Sequence, residues 1–178
     1  GICFDKEGNL YVADAENNRV RKINKSGTIS TVAGIGSHGS YGFSGDGGAA
    51  TLAQLHLPTD VLTDEYNNVY VADQGNARIR RIDQSGIIST YAGNGNVAYT
   101  IDNVPVSAAQ FTPLLIKMNA RKEMYIIGNF RVFKIDKAGI FHLVAGNGTL
   151  SNDGDGGPAL SAGIHSPCGI AFDSCDNL

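Results

Sequence analysis

The sequence predicts an all-β chain of four-stranded antiparallel meanders that stack as the blades of a β-propeller. Three observations carry this. First, one strand-like phrase returns along the chain, as Leu10-Tyr11-Val12-Ala13-Asp14, Val69-Tyr70-Val71-Ala72-Asp73 and Met124-Tyr125-Ile126-Ile127-Gly128. The run from Cys168 to Asp173 opens a fourth copy, which reaches Leu178, the equivalent of Leu10. Second, the spacing is nearly fixed, at 59, 55 and 54 residues from Leu10 to Val69 to Met124 to Leu178. A period of this size marks tandem supersecondary units, none of which can bury its apolar face alone. Third, each period holds four short β-rich runs punctuated by turn residues, which is the grammar of a meander.

Taken in order, the first copy predicts strands over 2–5, 9–13, 19–24 and 28–33, each with three or more apolar or β-branched residues in a strand-length window. The joints are Lys6-Glu7-Gly8-Asn9, Ala15-Glu16-Asn17-Asn18 and Lys25-Ser26-Gly27, whose glycine and asparagine residues tolerate the positive φ of tight hairpins. The second copy repeats the pattern over 60–63, 69–72, 77–83 and 87–92. The third does so over 114–118, 124–127, 131–135 and 140–145, with a second hairpin two residues shorter. The repeats run approximately over 1–58, 59–113 and 114–167, with the start of a fourth at 168–178, all within one domain. Between meanders lie connectors that open on Gly34-Ile35-Gly36, Gly93-Asn94-Gly95 and Gly146-Asn147-Gly148. They close on alanine-rich pieces followed by Pro58, Pro113 and Pro167. A structureless segment of this length is uncommon in a compact domain, so a folded connector with about one and a half helical turns is expected.

Four-stranded meanders in tandem imply a propeller, whose rings usually close with roughly 4–8 blades. Three blades would leave two apolar sheet faces open. The chain is therefore expected to be part of a longer polypeptide, the alternative being a ring completed by another copy. Apolar runs of transmembrane length are absent, and so is a signal-peptide pattern at Gly1. A net charge of −3 with only 14 lysines and arginines argues against a nucleic-acid surface. The one basic cluster, on the third strands (Arg19, Arg21, Lys22, Arg78, Arg80, Arg81, Arg131, Lys134), alternates with apolar residues and reads as a solvated strand face. Of the cysteines, Cys3 stands where Ala171 stands and reads as a small core residue. Cys168 and Cys175 bracket one extended strand, too far apart to bridge each other.

Candidate chemistry is sparse. Asn152-Asp153-Gly154-Asp155-Gly156-Gly157 brings oxygen donors together as calcium prefers, which makes Asp153 and Asp155 weak calcium candidates. The run does not continue as an EF-hand, and a turn is the simpler reading. His38, His56, His142 and His165 are scattered and belong to no recognisable catalytic pattern. Two N-glycosylation sequons, Asn24-Lys25-Ser26 and Asn147-Gly148-Thr149, lie in expected turns. Asp14 and Asp73 end the second strands and are placed to cap the following turn and to pair with Arg19 and Arg78. Gly128 stands at that position in the third copy, so a looser hairpin is expected over 128–130.

The whole chain resembles NHL repeats. The residues that carry the resemblance are 1–5, 8–14 and 17–23 in the first copy and 68–83 in the second, together with the glycine-rich connectors around Gly42-Phe43-Ser44-Gly45-Asp46-Gly47-Gly48 and Asp153-Gly154-Asp155-Gly156-Gly157. The connectors look like those of secreted bacterial NHL-repeat proteins, and the NHL propellers of teneurin-type adhesion proteins are similar. The resemblance implies a propeller, commonly six-bladed. It is less specific for function, because the family spans adhesion, scaffolding, sensing, RNA binding and a few lyases. With no convergent catalytic set, the expected role is a non-catalytic interaction or scaffold module without a cofactor. Such a module presents its loops for protein or glycan contact in an extracellular or cell-surface assembly, with further blades of the same chain or other proteins as partners. The alternatives are a lyase or hydrolase with a metal at the axis, and an RNA-binding domain. No nucleic-acid partner and no membrane insertion are expected.

Overall fold

Period-two alternation lays the chain out as short strands, which the computed structural model describes over residues 1–36, 41–98 and 102–178. The first sheet holds β1 (Ile2–Phe4), β2 (Leu10–Asp14), β3 (Arg19–Ile23) and β4 (Ile29–Ala33) in sequence order. The second holds β5 (Pro58–Thr63), β6 (Val69–Asp73), β7 (Arg78–Ile82) and β8 (Ile88–Ala92), again in sequence order. The third runs β10 (Leu115–Met118), β11 (Met124–Gly128), β12 (Arg131–Ile135), β13 (Ile140–Ala145), and adds β9 (Val104–Pro105) on its outer edge. Every pairing is antiparallel. The chain is all-β, made of propeller-type meanders.

The hairpins close on side-chain acceptors. Asp5 Oδ1 accepts from Asn9 N at 2.8 Å and Asp64 Oδ1 from Asn68 N at 2.8 Å, while Asn119 Oδ1 does the same for Glu123 N at 2.9 Å. Asp173 repeats the device on Asn177 N at 2.8 Å. Residues 168–173, expected as a first strand, pair with no strand among the described residues, yet the turn after them already has its repeat geometry. Each fourth strand carries a bulge, with Val32, Tyr91 and Val144 as the extra residues opposite the Val20/Arg21, Ile79/Arg80 and Val132/Phe133 steps of the third strands, which adds local twist to the sheet.

The sheets pack face to face through two cores. Tyr11, Val20 and Ala33 of the first sheet meet Val61, Val69, Val71, Ile82 and Ile88 of the second. Leu62, Tyr70, Ala72 and Ile79, on the other side of the second sheet, meet Ile116, Met124, Ile126 and Phe133 of the third. The second sheet is thus buried on both faces, and all five residues of β6 are buried. The outer face of the first sheet stays open, with Ile2 58% and Phe4 65% exposed. This difference between central and flanking sheets is what tandem stacking produces.

The connectors correct one expectation. They hold single 3-10 turns at Ala50–Leu52 and Ala159–Ser161, shorter than one and a half helical turns, and the second connector has only a turn there. Their role is at the sheet edge. The first connector bridges Ala49 to Ile87 and trades Gly47 N to Ile88 O (2.8 Å) and Ile88 N to Gly48 O (3.0 Å). The second does the same as β9 against β13. Each therefore covers the outer strand of the following sheet, which would otherwise present an open ladder of backbone groups.

The glycines that open the connectors have a steric cause. At Gly93 (φ +93°) a Cβ would lie 2.5 Å from the Ala77 carbonyl oxygen, and at Gly95 it would enter the Arg78 guanidinium. Gly34 and Gly146, and Gly36 and Gly148, repeat both situations. Gly93→Ala combines a left-handed φ with this clash and is expected to lower stability by more than about 1 kcal/mol, read as a reduced Tm, whereas Gly86→Ala meets no neighbouring atom and suffers only from its φ.

Candidate functional site

In a propeller the first strands line the axis. Here β1, β5 and β10 lie side by side: the Gly1 amino group donates to Thr59 O at 2.6 Å, Thr63 Oγ1 to Phe4 O at 3.1 Å, and Ile116 N to Asp60 Oδ2 at 2.9 Å. A cavity of about 450 Å³ opens along them, lined by Gly1, Ala13, Ala15, Thr59, Leu114, Leu115 and Cys168, with Asp60 as its one carboxylate. Asp60 is buried and bound to the Ile116 amide. Through that bond it satisfies a backbone amide of the neighbouring inner strand.

A second concavity of about 340 Å³ lies on the loop face between the second and third sheets, lined by Gln74, Thr112, Leu114, Phe130, Ser166, Pro167 and Cys168 among others. It borders the place where the third copy is two residues shorter. The expectation of a loose hairpin there is not met. Asn129 and Phe130 both take left-handed φ (52° and 57°), which closes the two-residue turn tightly. Asn129 Oδ1 accepts from Thr112 N at 2.7 Å. In the second sheet the same service to the incoming connector is given by Asp73, whose Oδ1 accepts from His56 N at 2.8 Å. The missing carboxylate is replaced by the side chain one position on.

The charged residues of the third strands are not all solvated. Arg80 is fully buried. Its Nη2 donates to Asp46 Oδ1 at 2.5 Å and to Ser44 O at 3.2 Å. Its Nη1 reaches Gln54 O at 3.4 Å and Asp73 Oδ2 at 3.5 Å. Asp46 also accepts from the Thr90 hydroxyl at 2.7 Å and the Thr90 amide at 3.1 Å, and the Phe43 ring lies under both Arg78 (3.7 Å) and Arg80 (4.7 Å). One arginine thereby clamps the connector 41–56 onto the second sheet. Burial pushes the Asp73 carboxyl up to about 6, against the opposing pull of the His56 amide, the Asn76 side chain and Arg80. Burial would also raise Asp46, but the Thr90 hydroxyl and the Arg80 guanidinium hold it below its ordinary value.

The expected pairs therefore shift by one position on the same strand face. Asp73 pairs with Arg80, and Asp14 with Arg21 at 3.8 Å; Arg78 and Arg19 do not pair with them. Arg78 donates instead to Asn94 O (2.9 Å) and Asn76 O (3.0 Å), Arg19 to Ile35 O (3.2 Å), and Arg131 to Asn147 O (2.8 Å). These arginines staple the start of each connector. The signal was present in the sequence, as Arg19, Arg78 and Arg131 always precede a connector with glycine at its third position, but its meaning depends on a contact across 16 residues. In the third sheet Phe133 occupies the place of Arg80 and stacks with Phe141 at 4.7 Å and, tilted, with Phe111 at 6.4 Å.

The remaining candidates stay apart. The Asp153 carboxylate accepts from Ser151 Oγ at 2.8 Å, and Asp155 is exposed. Among the described residues no three His, Cys, Asp or Glu side chains converge as a metal would require. The His56 ring stacks on Tyr41, His142 bonds Asp136 at 2.9 Å, and His165 lies near Phe130. His38 lies outside the described residues. Cys3 is half-buried, and burial raises its thiol to about 11, while Cys168 and Cys175 are exposed and all three are free thiols. No described helix is long and apolar enough to cross a membrane.

The family model for the NHL repeat matches residues 1–23, the segment that forms β1 to β3. Mouse teneurin-4 is 40% identical over 156 residues, which is 78% of this chain and 6% of that protein. The chain is an NHL-repeat β-propeller protein. A structural-genomics protein of unknown function from Bacteroides thetaiotaomicron superposes with a TM-score of 0.67 over 93% of this chain and 40% of the other, at 21% identity. Virginiamycin B lyase from Staphylococcus aureus superposes with a TM-score of 0.51 over 80% of this chain and 39% of the lyase, at 18% identity. At these identities the two structures establish the fold of the NHL chain alone. The chain spans a small fraction of the teneurin and about two-fifths of each of these solved structures.

Proposed function

We propose that this NHL chain is a non-catalytic interaction module, acting within a larger propeller of six blades in an extracellular or cell-surface assembly. It offers its loop face to protein partners or to glycan. The observation that carries the reading is the lining of the inner cavity: small or apolar side chains, one carboxylate committed to the Ile116 amide and one thiol, Cys168, whose Sγ bonds the Ser166 carbonyl at 3.1 Å. General acid–base or metal chemistry needs titratable groups that face the reactant and are free to change partner. The internal use of Arg19, Arg78, Arg80 and Arg131 equally supports a surface without a phosphate-binding stripe. The likeness to mouse teneurin-4 favours a cell-surface setting.

The test is a paired measurement on the full-length protein. Labelled protein is expected to bind intact cells saturably, with loss of binding after surface proteolysis or after deglycosylation telling a protein partner from a glycan. Incubated with virginiamycin B, with and without an added divalent metal, it is expected to give no turnover above the blank. Turnover that depends on Asp60 would replace the module with an enzyme.

A further inference from the structure

The last hairpin of each meander is closed by one side-chain acceptor. In the second sheet it is Asp83, whose Oδ1 accepts from Ser85 N (2.8 Å) and Ile87 N (3.0 Å). In the third it is Asp136, which takes Ala138 N (2.9 Å) and Ile140 N (2.9 Å). In the first sheet the same position is Asn24, and its Oδ1 takes Ser26 N (3.1 Å) and Thr28 N (2.9 Å). The turn uses only the oxygen. A carboxylate is the stronger acceptor, and the two sibling turns have one. What asparagine adds is an amide nitrogen, and this Nδ2 donates to no group among the described residues. The Ser26 hydroxyl lies 2.7 Å from Asn24 Oδ1, and residues 24–30 are all exposed.

The other sequon shares the hydroxyl contact, Thr149 Oγ1 lying 2.6 Å from Asn147 Oδ1, but differs in the use of its amide nitrogen. Asn147 is the structural counterpart of Asn94. Both donate their backbone N–H to an alanine carbonyl (Ala162 at 2.9 Å, Ala109 at 3.0 Å). Both take an arginine on their carbonyl, from Arg131 and Arg78, and both spend Nδ2 on the connector, on Ser161 O at 2.9 Å and Ala108 O at 3.4 Å. Asn94 is followed by Gly95 and Asn96 and is no sequon, so the asparagine at this place is explained by the staple alone.

We infer that Asn24 is an N-glycosylation site of this protein and that Asn147, despite its sequon, is not. The inference rests on the cell-surface reading above. In the reaction, the Nδ2 of Asn24 attacks the anomeric carbon of an oligosaccharide carried on a lipid pyrophosphate. The N–C bond forms, the bond from that carbon to the pyrophosphate oxygen breaks, the lipid pyrophosphate leaves, and one Nδ2 proton passes to a base of the transferase. Asn24 Oδ1 keeps both of its turn bonds, so the modified hairpin retains its fold. A glycan on Asn147 would have to grow out of the seam between β12 and the connector.

The test is expression of the full-length protein through the secretory pathway of a eukaryotic cell, once with its own N-terminus and once with an added secretory signal, followed by peptide mapping after enzymatic deglycosylation in heavy-oxygen water. Label at Asn24 and none at Asn147 is the expected result. N24D, which copies Asp83, should lose the glycan completely while folding normally, and Thr149→Ala should leave the glycan at Asn24 and the unmodified Asn147 as they were. A glycan at Asn147, or none at either site in secreted protein, overturns the inference. A glycan at Asn24 only when the signal is added upholds the site and overturns the compartment.

Discussion

Replacing Arg80 with methionine is expected to destabilise the protein by about 3–5 kcal/mol at neutral to alkaline pH, the range for removing one partner of a buried ion pair. The substitution conserves much of the side chain's bulk but removes the donors that serve Asp46, Ser44 O, Gln54 O and Asp73. Asp73 has no solvent to turn to, since it is fully buried. The pH dependence gives the effect a signature. With its folded value raised to about 6 from an ordinary 3.8, Asp73 holds its proton more tightly folded than unfolded. Its favourable contribution is therefore complete below 3.8 and is lost as the pH rises through about 6. Without the guanidinium the carboxyl rises further, so the R80M deficit should be larger in urea titrations at pH 8 than at pH 5, where Asp73 is neutral and no longer needs a cation. Adding Asp73→Asn to R80M keeps an acceptor for the His56 amide and removes the buried charge, so it should recover part of the loss. A deficit equal at both pH values, or a double variant weaker than the sum of the singles, would mean that the pair is not what holds the connector.

Phe133→Ala is the second large effect, at about 3–5 kcal/mol, the usual cost of deleting a buried aromatic ring. Phe133 is fully buried between Phe111, from the connector, and Phe141, from the outer strand. It performs apolarly what Arg80 performs with charge, which is to hold the incoming connector to the sheet. Its loss should therefore be independent of pH between 5 and 8, and Phe133→Leu, which refills part of the space, should cost distinctly less. Denaturant midpoints for the two variants decide this. A pH-dependent loss at Phe133 would place an ionisable group in that seam.

The contrast between these two seams shows how far the sequence could be read. The repeated phrase at Leu10, Val69 and Met124 was enough for the meanders, because period-two burial and turn residues act within a few positions of one another. The resemblance to NHL repeats named the same architecture. Cross-strand position places Arg19 and Arg78 directly opposite Asp14 and Asp73, whereas their hydrogen bonds go to carbonyls of a connector that the local sequence does not position. Arg80 looked like one more surface charge, since alternation alone cannot tell a strand face covered by water from one covered by a loop. Asp153 and Asp155 are closely spaced oxygen donors, which makes them weak calcium candidates beside the simpler reading of a turn. Their counterpart Asp46 shows that an aspartate in this connector can be taken up by an arginine 34 residues away.

The sequence by itself determined the strands, their hairpins, the tandem stacking and the asparagine at position 24, because each follows from local propensity or from a repeat that can be compared with itself. Only the tertiary structure decided which charges are buried, that the connectors close the sheet edges, and that the inner cavity carries a carboxylate already in use. The reason is physical. Strand formation depends on neighbours in the chain, but the fate of a side-chain donor depends on which segment is brought within 3 Å of it, and here those segments are fixed only when one sheet closes on the next.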